Sequence, residues 1–162
     1  MKPVILCVDD TPSVLEGEKM LLEENGYRVL TATNGKEAVQ AFTSHSVDLV
    51  LLDYYMPEMN GGMAAVYMKD SKPDIPVALF SSDECLPRRD LEAVDCFISK
   101  SEPIVSLLEK VDYLLSLRLL FRPFDASKTH HTRDHVDARA AGHASDKPNG
   151  ISLKRDGIQK GP

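Results

Sequence analysis

The sequence predicts an open α/β sheet of five parallel strands with helices on both sides. Short β-rich apolar runs recur five times, helical patterns fill the gaps between them, and the runs show little strict alternation of apolar and polar residues. Strands buried on both faces read this way, because a parallel sheet carries its crossover helices on both sides. Repetition of the βα unit five times then gives a doubly wound sheet, since such crossovers share one hand.

The strand candidates are Val4 to Val8, Tyr27 to Thr33, Val47 to Leu52, Ile75 to Phe80 and Cys96 to Ser99. The first helix is expected over Pro12 to Glu24, with Val14, Leu15, Leu21 and Leu22 on one side and Asn25-Gly26 ending it. A second covers Lys36 to Phe42, where Ala38, Val39 and Phe42 share a face, and a third covers Met63 to Lys69. A weak fourth lies near Leu86 to Ala93, and Pro103 opens a long fifth that reaches Phe121. Pro12 and Pro103 suit a first helical turn, where a missing N–H costs nothing.

Composition sets the limits. The chain has 162 residues, 43% of them apolar, enough for one globular domain with a real core. No apolar run approaches the roughly 18 residues of a membrane span. The five apolar residues Val4 to Val8 are too few for a secretory signal, so a soluble, cytoplasmic protein is expected. Cys7, Cys85 and Cys96 form no C-x-x-C pair and suit a reducing compartment better than a disulfide framework or a zinc site. A formal charge of −6 disfavours non-specific binding to DNA or to anionic membranes. That charge is uneven: residues 1–122 carry −8 and residues 123–162 carry +2. The later segment holds only Phe124, Val136, Ile151, Leu153 and Ile158 as large apolar residues, too few to offset the entropy of ordering it. The expected organisation is a folded domain over 1–122 and a flexible polar tail over 123–162.

In a doubly wound sheet, ligands bind beyond the carboxyl ends of the strands. There the sequence places Asp9-Asp10 after the first strand, Asp53 after the third, Ser81-Ser82 after the fourth and Lys100 after the fifth. Clustered carboxylates repel one another, and a hard divalent cation relieves them. Mg²⁺ fits, because it takes one or two carboxylates, a carbonyl and waters, and leaves room for a phosphoryl oxygen. A carboxylate beside it can attack phosphorus and form an acyl phosphate, while Lys100 and Ser81 bind further phosphoryl oxygens.

The segments 4–10 (VILCVDD), 31–38 (TATNGKEA), 48–61 (DLVLLDYYMPEMNG), 76–81 (PVALFS) and 97–100 (FISK) resemble the receiver domain of bacterial two-component response regulators over residues 3–121. The resemblance implies a CheY-like fold with the flavodoxin-like strand order 2-1-3-4-5. It implies Asp53 as phospho-acceptor, with Mg²⁺ held by Asp9, Asp10, Asp53 and the Tyr55 backbone carbonyl. Ser81 and Lys100 would then grip the phosphoryl group, with Phe97 as the aromatic of the switch. Tyr55 and Asp83, each two residues after a site residue, are expected to set the dephosphorylation rate. Ser101 stands where the family usually has proline, and the interval from Ser81 to Lys100 is short, which shortens the fourth helix or its loops.

Each residue alone has a plainer reading: Asp9-Asp10 as a helix start, Ser81 as a turn residue, Phe97 as core, and Cys96 as a structural thiol. In the tail, His131 and His135 stand at i, i+4 among His130 and His143, yet no pattern that would orient metal ligands surrounds them, so a solvated tail is expected. Rival functions fit less well. A haloacid dehalogenase-like phosphohydrolase looks for an acid where Tyr55 stands. A flavodoxin-type carrier needs a phosphate loop where Asp9-Asp10 would repel the phosphate. Charge argues against a nucleic-acid binder. A receiver-like module that binds protein without phosphorylation is the nearest competitor. The reading is a stand-alone phospho-receiver, not a dedicated enzyme, charged by a histidine kinase or histidine phosphotransferase. Its output would leave through the surface of the fourth helix, fifth strand and fifth helix to a downstream protein or a second copy. On that last helix Ile104, Leu107, Leu108, Val111 and Leu115 are expected to face the core, with Leu114, Leu117, Leu120 and Phe121 as apolar residues beyond it.

Overall fold

A computed structural model describes residues 1–121. The elements run β1 (Val4–Val8), α1 (Pro12–Glu24), β2 (Arg28–Ala32), α2 (Gly35–Ser44), β3 (Leu49–Leu52), α3 (Gly61–Ser71), β4 (Val77–Ser81), a 3₁₀ turn (Arg88–Leu91), β5 (Cys96–Ser99) and α4 (Ile104–Phe121). All strand pairs are parallel, in the order β2-β1-β3-β4-β5. The expected tail over 123–162, with its histidines, lies outside the described residues.

Side-chain alternation along the strands divides the core in two. On one side Leu6, Val8, Val50, Leu52, Val77 and Leu79 pack against Ala38 and Phe42 of α2 and Ala64, Ala65 and Met68 of α3. On the other, Ile5, Cys7, Leu49, Leu51, Ala78 and Ile98 pack against Leu15 and Leu22 of α1 and Leu107, Val111, Leu114 and Leu115 of α4. Strands β1 and β3 are buried almost throughout, which is why their sequences show no polar alternation.

Helix starts follow from local chemistry. Pro12 opens α1 behind Thr11. Asn34 and Asn60 cap α2 and α3 by accepting from the backbone N–H of Glu37 and Met63, satisfying donors that have no partner within the helix. Glu37 reaches back to the Thr33 N–H and hydroxyl, closing a reciprocal cap.

Four expectations are corrected. The fourth helix is absent: between β4 and β5 there is only the 3₁₀ turn, which opens behind Pro87 and is tied to the segment after β3 by the Tyr54–Asp90 hydrogen bond. The expected output surface therefore lacks an α-helix between β4 and β5. On the last helix, Ile104 is exposed and Leu114 is buried; the core stripe is Leu107, Val111, Leu114 and Leu115, spaced i, i+4, i+7 and i+8. On α1, Val14 is exposed and the buried face is Leu15, Glu18 and Leu22.

Candidate functional site

Three strands deliver polar residues to one edge of the sheet on one side of it. Asp9 continues the alternation of Ile5 and Cys7, Asp53 that of Leu49 and Leu51, and Lys100 that of Ile98, so all three project toward the α1/α4 layer. Ladder bonds carry the two acids into place, with Asp9 N–H donating to the Ala32 carbonyl and Asp53 N–H to the Val8 carbonyl. Lys100 then bridges them: its Nζ lies 2.5 Å from Asp9 Oδ2 and 2.9 Å from Asp53 Oδ1. Asp9 and Asp53 are only 2% and 9% exposed, so the ammonium acts on them with little screening.

The remaining carboxylate oxygens are also held. Asp9 Oδ1 accepts from Thr11 N–H at 2.8 Å and Asp53 Oδ2 from Tyr55 N–H at 3.1 Å. Burial pushes the Asp53 carboxyl up, while the bond and charge of Lys100 pull it down. For Lys100, burial works against the ammonium, but the bonds to Asp9 and Asp53 win and its proton is held more tightly than usual.

Gly61 lets this arrangement close. A Cβ there would strike the Asp53 carbonyl oxygen and come within 2.8 Å of a Leu79 methyl. Only a residue without a side chain allows the start of α3 to pass so near the Asp53–Tyr54 segment, where Gly61 N–H donates to the Tyr54 carbonyl.

Other expected residues lie at varying remove. Asp10 is exposed and lines a separate open cleft with Thr33, Asn34, Lys36 and Glu58. Ser81 is fully buried, and its hydroxyl accepts from Asp83 N–H at 3.4 Å. By alternation Ser81 belongs to the opposite face of the sheet from Lys100, the face that half-buried Phe97 shares, with Phe97 opposite Leu79 and Ser81 opposite Ser99. Tyr55 is exposed, and its hydroxyl donates to Asp83 Oδ2 at 2.5 Å. After Lys100, Ser101 takes part in a polar chain in which the Ser99 hydroxyl bonds Ser101 at 2.7 Å and Glu84 at 3.0 Å.

Two features escaped the sequence reading. Tyr54, beside the expected acceptor, is buried and donates to Asp90 Oδ2 at 2.6 Å, tying that segment to the 3₁₀ turn. Glu18 is buried in α1, and its carboxyl feels Lys100, Asp9 and Asp53. The signal for Glu18 was present: it interrupts the Leu15–Leu22 stripe at helical spacing.

The donor chemistry fits a hard divalent cation, since Asp9 and Asp53 are buried oxygen donors that share a single ammonium and so keep a surplus of negative charge. Among the described residues no three His, Cys, Asp or Glu side chains stand together as a preformed metal cluster. None of the described helices is long and apolar enough to cross a membrane.

Comparison with known proteins agrees with this arrangement. The family description "Response regulator receiver domain" fits residues 5–112. The chain is 40% identical over 81 residues to a probable transcriptional regulator, ycf27, of Cyanidium caldarium, a match covering 49% of this chain and 32% of that protein. It is 34% identical over 93 residues to the autoinducer 1 sensor kinase/phosphatase LuxN of Vibrio campbellii, covering 57% of this chain and 11% of that one. The chain thus spans a third or less of the length of these curated relatives. Among solved structures, the response regulator protein TrrA of Thermotoga maritima, in complex with Mg(2+)-BeF, is 37% identical with a TM-score of 0.67, over 70% of this chain and 99% of that one. The response regulator receiver domain protein (CheY-like) of Methanospirillum hungatei JF-1 gives a TM-score of 0.70 at 25% identity, over 74% and 98%. With its sheet order, its strand-end residues and these matches in accord, the chain belongs to the response regulator receiver family of two-component systems.

Proposed function

We propose that the chain is a phosphorylation-dependent switch that accepts a phosphoryl group on Asp53 from a histidine kinase or histidine phosphotransferase. The observation that carries this reading is the Lys100 ammonium bridging Asp9 and Asp53, a cation already set against the acceptor oxygen. A carboxylate oxygen of Asp53 would attack phosphorus, forming an O–P bond as the bond to the donor histidine nitrogen breaks and the electron pair leaves with the imidazole. Lys100 would follow the negative charge onto the phosphoryl oxygens, with the Ser81 hydroxyl as a further donor. Asp9, Asp10, Asp53 and the Tyr55 carbonyl would hold Mg²⁺, which supplies charge neutralisation at the transferring group.

Phosphorylation adds about −1.5 to −2 charges beside Asp53. Movement of Ser81 toward them would open room for Phe97 on the same face of the sheet and alter the β5–α4 surface, where Leu120 and Phe121 are exposed. Partner or homodimer contacts there are the proposed output, in a cytoplasmic protein acting as a response regulator and not as a dedicated enzyme.

Intact-mass measurement after incubation with acetyl phosphate and Mg²⁺ tests the acceptor. One added phosphoryl group is expected, base-labile and absent from Asp53→Asn. Undiminished labelling of that variant would falsify the assignment, and no labelling of the parent by either acetyl phosphate or a histidine kinase would favour the phosphorylation-independent binding module.

A further inference from the structure

Helix α1 presents three residues to the core, Leu15, Glu18 and Leu22, at i, i+3 and i+7. The leucines join the apolar layer with Ile5, Cys7 and Val111. Glu18 stands between them only 9% exposed, and its Oε1 is buried with no hydrogen-bond partner. A leucine would continue the stripe at no such cost, because a buried acceptor without a donor loses the hydration it had in the unfolded chain. What Glu18 gives in return must come from its surroundings. The charged groups whose fields act on its carboxyl are Lys100, Asp9 and Asp53, and its own charge acts on the buried Cys7 thiol. Those three groups occupy the same side of the sheet as α1.

We propose that Glu18 is an outer carboxylate of the Asp9–Asp53 cation site, a positioning residue whose negative charge and free acceptor oxygen strengthen the hold of Asp9 and Asp53 on a hard divalent cation. Two carboxylates already share one ammonium in this layer; a third acid behind them leaves a surplus of negative charge that Lys100 alone does not neutralise. Burial pushes the Glu18 carboxyl up to about 7, with Lys100 opposing that rise, as expected of an acid held where added positive charge would be welcome. Groups one shell out from a metal commonly tune its affinity in this way. The inference rests on the phospho-receiver reading of the same site.

The test is calorimetric titration of magnesium chloride into the parent, Glu18→Gln, Glu18→Leu and Asp9→Asn at fixed pH and ionic strength, with thermal midpoints measured without magnesium. Both Glu18 variants are expected to bind magnesium about tenfold more weakly, while Glu18→Leu raises the magnesium-free midpoint. Opposite movement of affinity and stability is something a purely structural residue does not give. Affinity in both Glu18 variants unchanged to within about twofold, with Asp9→Asn losing binding, overturns the Glu18 assignment alone. Weaker binding with a lowered midpoint in both variants marks a structural residue and overturns it too. Absence of magnesium binding by the parent removes it together with the receiver reading.

Discussion

The Tyr55 hydroxyl donates to Asp83 Oδ2 at 2.5 Å, closing a bridge between the loop after β3 and the loop after β4. The bond favours the ionised carboxylate, so Asp83 is held below its ordinary range and Tyr55 above its own. Both residues stand two positions beyond a site residue, and their bond makes one latch of two loops that flank Asp53. On the phospho-receiver reading, a latch of this kind would obstruct water approaching an acyl phosphate at Asp53. Tyr55→Ala is expected to shorten the life of the phosphorylated protein several-fold, and Tyr55→Phe, which keeps the ring and loses the bond, to fall between. Decay followed by intact mass checks this; equal or slower decay in Tyr55→Ala sinks it.

The second tyrosine acts on stability. Tyr54→Phe removes the bond to Asp90 and is expected to cost about 1 kcal/mol in urea denaturation. Hydrogen exchange should quicken around the 3₁₀ turn more than in β1 or β3, since the turn loses its anchor. Uniform exchange rates would show that the turn is held by other contacts.

Gly61→Ala is expected to destabilise the domain by about 2 kcal/mol, the usual cost of forcing extra volume into a packed site. The added methyl would meet the Asp53 carbonyl oxygen, so phosphorylation from acetyl phosphate should fall along with the denaturation midpoint. A folded variant labelled at the parent rate would show that the acceptor segment can move aside.

A pH dependence follows from Glu18, whose carboxyl rises from its ordinary value of 4.5 to about 7, chiefly through burial, with Lys100 lowering it and Asp9 and Asp53 raising it. Its folded form holds a proton that the unfolded chain has released, so its contribution is fully present below about pH 4.5 and is lost as pH rises through 7. Asp53 is raised as well and adds the same sign. Between pH 5 and 8, in the absence of divalent cations, stability is expected to fall as pH rises, with a shallower slope in Glu18→Gln. Glu102 works the other way: Lys110 and Ser106 hold it down at about 2, and that contribution is lost as pH falls from 4.5 toward 2, outside this window. Urea midpoints at several pH values provide the measurement, and equal slopes in parent and variant would remove Glu18 as the cause.

Strands were the most legible part of the sequence, because runs such as Val4–Val8 and Leu49–Leu52 are buried on both faces and carry one unambiguous pattern. Their polar successors Asp9, Asp53 and Lys100 were legible for the same reason, since the sheet fixes where a strand must end. Helical faces were harder to read. Ile104 and Leu114 exchange places because Pro103 starts the turn before Ile104, and the contact with the sheet selects 107, 111, 114 and 115. Glu18 is legible only by its spacing within the Leu15–Leu22 stripe, because sorting residues by polarity counts an acid there as solvent-facing. The missing fourth helix depended on the length of a connection and on the Tyr54–Asp90 tie, a tertiary contact spanning 36 positions.

The Lys100 bridge has a further consequence. An ammonium tethered to β5 is an internal competitor, present at the fixed local concentration its tether allows. On the phospho-receiver reading, a divalent cation joining Asp9 and Asp53 would compete with it, so the threshold at which the site loads would vary little with bulk monovalent salt, which screens buried pairs weakly. Replacing Lys100 by methionine is expected to lower that threshold while removing the group proposed to follow charge onto the phosphoryl oxygens. On that reading the resting protein would carry its own antagonist, and loading and response would be two duties of one side chain.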